Sequence, residues 1–126
     1  MSEMLRAVIV THAEVGAALV HAIREIAGDT EGVVAVTNAG CGTDELGKRI
    51  LAAVGAAPAV VFVDLPGGSC FQAAARHLRS RADVAVVAGV NLAMLLDFIY
   101  HRDIPAAEAA ARAVEAGSRA IRLVPS

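Results

Sequence analysis

Two apolar runs in this 126-residue chain end on residues that can do chemistry together. Val8-Ile9-Val10-Thr11 leads to His12, and Ala59-Val60-Val61-Phe62-Val63 leads to Asp64, with Leu65-Pro66-Gly67-Gly68-Ser69 directly after it. A neutral imidazole is a competent nucleophile near pH 7, one ring nitrogen attacking while the other carries the proton. A carboxylate beside the protonated nitrogen fixes the tautomer and the ring orientation, and it stabilises the ring once a group has been accepted. Paired glycines let a ligand approach the backbone, and the first amides of a following helix donate to an anion. The pattern therefore predicts a phosphoryl-accepting site with His12 as nucleophile, Asp64 as its orienting partner, and Gly68 and Ser69 as phosphate-binding residues. Such a transfer runs on positioning and electrostatics, with the energy arriving in the donor, so neither a metal nor a cofactor is expected.

Each residue also has a plainer role. A histidine at a strand end is commonly an ordinary loop residue, Asp64 could simply cap its own turn, and Ser69 is most simply the N-cap of a helix opening at Cys70. What favours the joint reading is that two strand ends carry the two halves of one constellation. Three rival motifs stand against it. Gly42-Thr43-Asp44-Glu45-Leu46-Gly47-Lys48-Arg49 matches a P-loop except at its last position, where Arg49 offers no hydroxyl, and Asp44 and Glu45 would stand where phosphates should sit. His12, Asp64 and Ser69 are also the residue types of a hydrolase triad, but Phe71 replaces the closing glycine of a nucleophile elbow, so that reading is disfavoured. Cys70 at a helix start could have a lowered pKa, against the plainer role of a small buried thiol. His21, His77 and His101 fall in or near helices and read as surface or packing residues.

For His12 and Asp64 to meet, the strands that carry them must be neighbours. Residues 5–11, 33–36, 58–63 and 84–88 are short apolar runs without alternation, as in a parallel sheet covered on both faces. Between them lie helical patterns: Val15, Leu19, Ala22, Ile23 and Ile26, closed by Gly28 in a left-handed cap; then Leu46, Ile50, Leu51 and Val54, capped by Thr43; then residues 70–79. Asn91 precedes a strongly apolar helix, and Pro105 opens a last one over 106–116 that Gly117 ends. Strands alternating with helices specify an α/β, doubly wound fold. A four-stranded parallel sheet of order 2-1-3-4 places the first and third strands side by side at the switch point, where ligands of such sheets bind. The tail 120–124 alternates instead, with Ile121 and Leu123 opposite Arg122, and predicts a half-exposed edge strand.

The composition narrows the function classes further. One domain spanning 1–126 is expected from the length. Hydrophobic residues make up 56% of the chain, yet no apolar run reaches the roughly 18–20 residues of a membrane span, so no direct membrane insertion is expected. With no basic region leading a long apolar one at the N-terminus, a cytoplasmic location is the default. A net charge of −2 with interspersed signs, and one Tyr, three Phe and no Trp, give nucleic acid neither a basic patch nor a stacking platform. Cys41 and Cys70 lack metal-site spacing and are expected as free thiols.

Val8-Ile9-Val10-Thr11-His12, Asp64-Leu65-Pro66-Gly67-Gly68-Ser69-Cys70-Phe71-Gln72-Ala73-Ala74 and Gly89-Val90-Asn91-Leu92-Ala93-Met94-Leu95 together resemble the IIA domain of the mannose family of the sugar phosphotransferase system. The resemblance follows type and order over nearly the whole chain. It implies that His12 accepts a phosphoryl group from the histidine-containing phosphocarrier protein and passes it to a IIB protein, that Asp64 holds the imidazole, and that Gly68 and Ser69 bind the phosphate. It also implies a homodimer that exchanges a C-terminal strand, which the tail at 120–124 would supply. With no IIB segment after Ser126, the IIB partner is expected on a separate chain. The chain departs from the family pattern at Ala13, where many members have glycine, and at Pro66, Cys70, Gln72 and Ala93, positions that surround the site without removing its histidine or aspartate. Two further readings stand beside the carrier: a regulatory phosphoprotein using His12 as a switch, and a module that binds a small ligand in the same crevice without covalent change. The phosphotransfer subunit of dihydroxyacetone kinases is disfavoured by the Gly-Gly-Ser and Gly-Val-Asn stretches.

Overall fold

The structure, a computed structural model, describes residues 4–28 and 30–125. Nine elements follow in order: β1 (Arg6–Thr11), α1 (Val15–Ala27), β2 (Val33–Thr37), α2 (Thr43–Val54), β3 (Ala59–Val63), α3 (Ser69–Leu78), β4 (Val84–Ala88), α4 (Leu92–Ile99) and α5 (Ala106–Arg119). The strands form a sheet of order β2-β1-β3-β4 in which every pair is parallel. This is the expected doubly wound α/β arrangement, with β1 and β3 at its centre.

The sequence pattern explains the layers. Side chains alternate across a strand, so each central strand feeds two cores. Ala7 and Ile9 of β1 and Val60 and Phe62 of β3 face a core built with Val20 and Ile23 of α1, Leu95 and Phe98 of α4, and Ala109 and Ala113 of α5. Val8 and Val10 face the other way with Val61 and Val63, against Leu46, Ile50 and Val54 of α2 and Cys70, Ala73, Ala74 and Leu78 of α3. Every residue of β3 is buried, whereas edge strand β2 leaves Val34 exposed. Of the four continuous apolar runs, the central strands β1 and β3 are the ones covered on both faces.

Several local expectations are corrected. Thr43 does not cap α2; Gly42 holds the N-cap position, and Thr43 is the first helical residue. Leu51 lies outside the buried stripe of α2, which runs through Leu46, Gly47, Ile50 and Val54 instead. Gly28 does close α1, its N–H reaching Arg24 O at 2.9 Å; its φ of 86° is positive, as expected of a glycine cap, while its ψ of −170° lies outside the left-handed helical well.

Gly117 does not end α5. The helix continues to Arg119, and Gly117 sits buried within it where α5 crosses the start of α4. A Cβ there would collide with the Met94 side chain and stand 3.0 Å from Asn91 Oδ1. Asn91 is itself fixed, capping α4 through Met94 N–H at 3.0 Å and donating to Gly117 O at 3.1 Å. The glycine is present for close approach, and the sequence signal of a helix terminator is the same residue. Residues 120–124 form no strand in the single chain, because their backbone joins neither open edge of the sheet. They leave Ile121, Leu123 and Val124 exposed at 77%, 80% and 88%.

Overpacking a close helix crossing typically destabilises by about 1–3 kcal/mol. Gly117→Ala is therefore expected to lower the urea midpoint by that order, with no change in far-ultraviolet circular dichroism. An unaltered midpoint would show that Met94 and Asn91 yield freely.

Candidate active site

The parallel register pairs Val10 with Val63, so the chains leave β1 and β3 side by side at the carboxyl edge of the sheet. His12 and Asp64 emerge there in contact. The His12 backbone N–H donates to Asp64 Oδ2 at 2.9 Å, and ring Nδ1 lies 2.8 Å from the same oxygen. The other carboxylate oxygen accepts the Leu65 N–H at 3.0 Å. Asp64 is largely covered, with 16% of its side chain exposed, while His12 keeps 42% open to solvent.

Burial on its own pushes the Asp64 carboxyl upward. The His12 backbone and ring hydrogen bonds, the His12 charge and the backbone N–H bond outweigh that effect, and the net pKa falls below the ordinary 3.8. Asp64 is therefore an anion near neutral pH, and an anion only accepts hydrogen bonds. The proton in the 2.8 Å contact must then belong to Nδ1. In the neutral imidazole the lone pair then lies on the Nε2 side of the ring.

Gly68 lies over that side. A Cβ at this position would stand 3.2 Å from His12 Cε1 and 3.7 Å from Nε2, so the glycine lets the backbone come close to the ring. Gly68 also occupies the N-cap position of α3 with no side-chain cap bond, and Ser69 is the first helical residue rather than the cap. The first amides of a helix lack intrahelical partners and carry its positive pole, so the start of α3 is a donor surface beside Nε2. The start of α1 is partly committed already. Gly16 N–H bonds Thr11 Oγ1 at 2.6 Å, and Val15 N–H bonds His12 O at 3.4 Å.

Cys70 is buried beneath the pair, its Sγ 4.0 Å from His12 Nδ1. Burial and the Asp64 charge push its thiol up to about 11, the Ser69 hydrogen bond opposing them and Cys41 adding a smaller push. The lowered pKa considered for a helix-start cysteine is overturned by desolvation, and the thiol stays neutral. His12, Asp64 and Cys70 offer ligand atoms within 4.8 Å of one another. Within that trio Asp64 Oδ2 engages His12 Nδ1 at 2.8 Å, and Cys70 Sγ lies 4.0 Å from the same nitrogen.

The P-loop-like stretch opens α2 as an ordinary amphipathic helix. Its Arg49 reaches back to the end of β2, Nη1 donating to Thr37 O at 2.8 Å and Ala39 O at 3.0 Å. His77 packs against Gly47 with Nδ1 2.8 Å from Ala73 O, His101 Nδ1 bonds Asp97 O at 2.7 Å, and exposed His21 meets Glu25 at 3.2 Å. Sequence reasoning missed the neighbourhood of Ala13, which holds a positive φ of 49° and is bonded by Thr37 and Asn38. The only signal was the departure at position 13 itself.

The family model EIIA-man, described as PTS system fructose IIA component, matches residues 6–115. The chain belongs to this family. The matched span contains His12, Asp64, Gly68 and Ser69 and stops before the exposed tail. Among curated protein sequences none matches. The fold is that of solved relatives. One is the phosphotransferase system component EIIA from Streptococcus agalactiae, with 22% identity, TM-score 0.89, and coverage of 95% of this chain and 97% of that one. Another is the mannose/sorbose specific IIA subunit from Enterococcus faecalis, with 22% identity, TM-score 0.86, and 98% and 97% coverage. The PTS IIA protein associated with the fucose utilization operon of Streptococcus pneumoniae is also similar, at 18% identity and TM-score 0.73, covering 97% of this chain and 96% of that one. This IIA-family chain is thus a phosphotransferase-system component, and among its described residues no helix is long and apolar enough to cross a membrane.

The lowered Asp64 pKa links the pair to stability. Because the folded value lies below the unfolded one, the contribution is fully present above the ordinary 3.8 and is lost as pH falls through the folded value. Wild type is therefore expected to exceed Asp64→Asn in denaturant midpoint across the neutral range. The gap should close as pH drops below 3.8. A gap that is constant down to strong acid would contradict the ionised pair.

Proposed function

We propose that this chain is a histidine phosphocarrier, residues 1–126 acting as one IIA-type domain. His12 accepts a phosphoryl group from the histidine-containing phosphocarrier protein and donates it to a IIB protein. The observation that carries the reading is the division of labour on one ring. Nδ1 is held by Asp64 at 2.8 Å, and Nε2 is left free beside Gly68 and the opening of α3.

In the receiving step the Nε2 lone pair bonds to phosphorus while the donor's N–P bond breaks, its electron pair returning to the donor imidazole. Nδ1 keeps its proton throughout, so the phosphorylated ring gains cationic character directly against the Asp64 carboxylate. The amides of Ser69, Cys70 and Phe71 are the donors available to the phosphoryl oxygens, and the approach that Gly68 allows brings them within reach. Onward transfer reverses the sequence. The N–P bond at His12 breaks, the acceptor side chain takes the group, and the ring returns to its neutral form. Asp64 acts as a positioning and charge-stabilising group, and Gly68 and Ser69 as phosphate-binding residues.

Incubation with phosphoenolpyruvate and the two general proteins of the phosphotransferase system is expected to add one acid-labile phosphate, placed on His12 by mass spectrometry. His12→Gln should abolish incorporation while retaining the circular dichroism of the fold; phosphate persisting on that variant excludes His12. Discharge of the label to a IIB protein separates a carrier from a switch, which would bind a partner and keep its phosphate.

We further read the tail as a strand that pairs with a second copy, making the protein a homodimer. Its support is the alternation over 120–124, the exposure of Ile121, Leu123 and Val124, and the open edge presented by β4. Unpaired edges and exposed apolar side chains both call for a partner. Deleting residues 120–126 should yield monomer or insoluble protein by light scattering. A soluble dimer of unchanged mass would remove the tail from the interface.

A further inference from the structure

We propose that Thr37 and Asn38, at the carboxyl end of β2, are positioning residues for His12 that act by gripping the peptide groups of Ala13. The inference rests on the reading of His12 as the phosphoryl acceptor and adds a third strand to the site. Ala13 follows the histidine directly and holds φ at 49°, the left-handed region that residues with a Cβ rarely adopt. Both of its polar backbone groups are held from the same side. Thr37 Oγ1 donates to Ala13 O at 2.8 Å, and Asn38 Oδ1 accepts the Ala13 N–H at 3.2 Å.

The grip is itself anchored. Asn38 N–H bonds Thr11 O at 3.1 Å, continuing the β1–β2 ladder one step past its last paired residues. Arg49 Nη1 donates to Thr37 O at 2.8 Å and Ala39 O at 3.0 Å, tying the same turn to α2. His12 is therefore fixed at both ends: its own N–H is bonded to Asp64 Oδ2 at 2.9 Å on β3, and the residue after it is bonded to β2. Releasing Ala13 to an ordinary φ would rotate the peptide joining it to His12. The ring would turn with that peptide, and Nε2 would move off the α3 opening. Small displacements of a reacting group are expensive in rate.

Thr37→Val removes the donor while keeping shape, and it is expected to slow His12 phosphorylation by about tenfold, the order set by a modest loss of alignment. Thr37→Ser, which keeps the hydroxyl, should restore most of that rate. Glycine holds a positive φ without steric conflict, so in an Ala13→Gly background the loss caused by Thr37→Val should shrink. A loss of the same size in both backgrounds overturns action through Ala13. The ring provides a readout that does not depend on phosphate. Nitrogen-15 spectra of His12 should show a single Nδ1–H tautomer in wild type and a mixture in Thr37→Val. Rates and ring signals that both match wild type overturn the proposal. Wild type that takes up no phosphate refutes the acceptor reading instead, and the ring spectra then still decide whether the grip holds His12.

Discussion

The alignment of β1 with β3 is the constraint on which this site depends. Pairing Val10 with Val63 sends the next residues of both chains over the same edge, and only that register brings His12 Nδ1 to 2.8 Å from Asp64. A slip of one residue would displace the aspartate by about 3.3 Å and turn every side chain of the strand to the opposite face. The hydrogen bond itself does not hold the alignment, since a typical one contributes only about 1 kcal/mol net. Burying a single large apolar side chain contributes about 1.5–3 kcal/mol. β3 alone buries five apolar residues, with Phe62 edge-on to Phe98 at 5.4 Å. The two cores therefore fix the register, and the reactive pair is a consequence of it.

What the pair can do then follows from where it sits relative to water. Asp64 is covered enough for its charge to matter, and the His12 contacts keep it ionised against the burial that opposes them. Cys70 beneath it stays a neutral thiol, so no second anion competes for the ring. His12 is by contrast almost half exposed and reaches the surface at the carboxyl edge of the sheet. An apolar cavity of about 640 Å³ opens at the other edge, bounded by Leu5, Pro58, Ile104 and Pro105. The exposure of His12 at the carboxyl edge would suit the proposed delivery of a group by the side chain of another protein. An exposed imidazole backed by a buried carboxylate is accessible and oriented at once.

The fold and the pair were legible in the sequence for one physical reason. Strands buried on both faces must be continuous apolar runs, and the polar residue ending each run marks the edge where ligands bind. His12 and Asp64 follow two such runs, so strand order makes them neighbours and the register of β1 with β3 brings them into contact. Side chains that serve distant backbone left no such mark. Arg49 looked like a failed P-loop position because nothing local shows that it caps the end of β2. Buried Arg102, donating to Leu5 O and Glu31 O, has no pattern either, since its partners lie 97 and 71 residues away. Gly117 was misread because a terminating glycine and a close-contact glycine are the same letter. The tail shows the same thing: the alternation over 120–124 predicts a strand, and those residues join no sheet in the single chain.

Ala13 shows how local preference and global geometry were reconciled at the site. Among the described residues it is the only non-glycine with a positive φ, and it adjoins the proposed nucleophile. A left-handed conformation costs a residue with a Cβ about 1–2 kcal/mol. Two hydrogen bonds, from Thr37 and to Asn38, contribute about 1 kcal/mol each, so they offset that cost without a surplus. Local strain of this kind persists only where surrounding contacts over-determine it, and such places cluster at functional sites. Glycine would meet the backbone requirement alone, but it would leave the peptide after His12 free to leave it again. Alanine held by the side chains of Thr37 and Asn38 reaches the same φ with fewer alternatives.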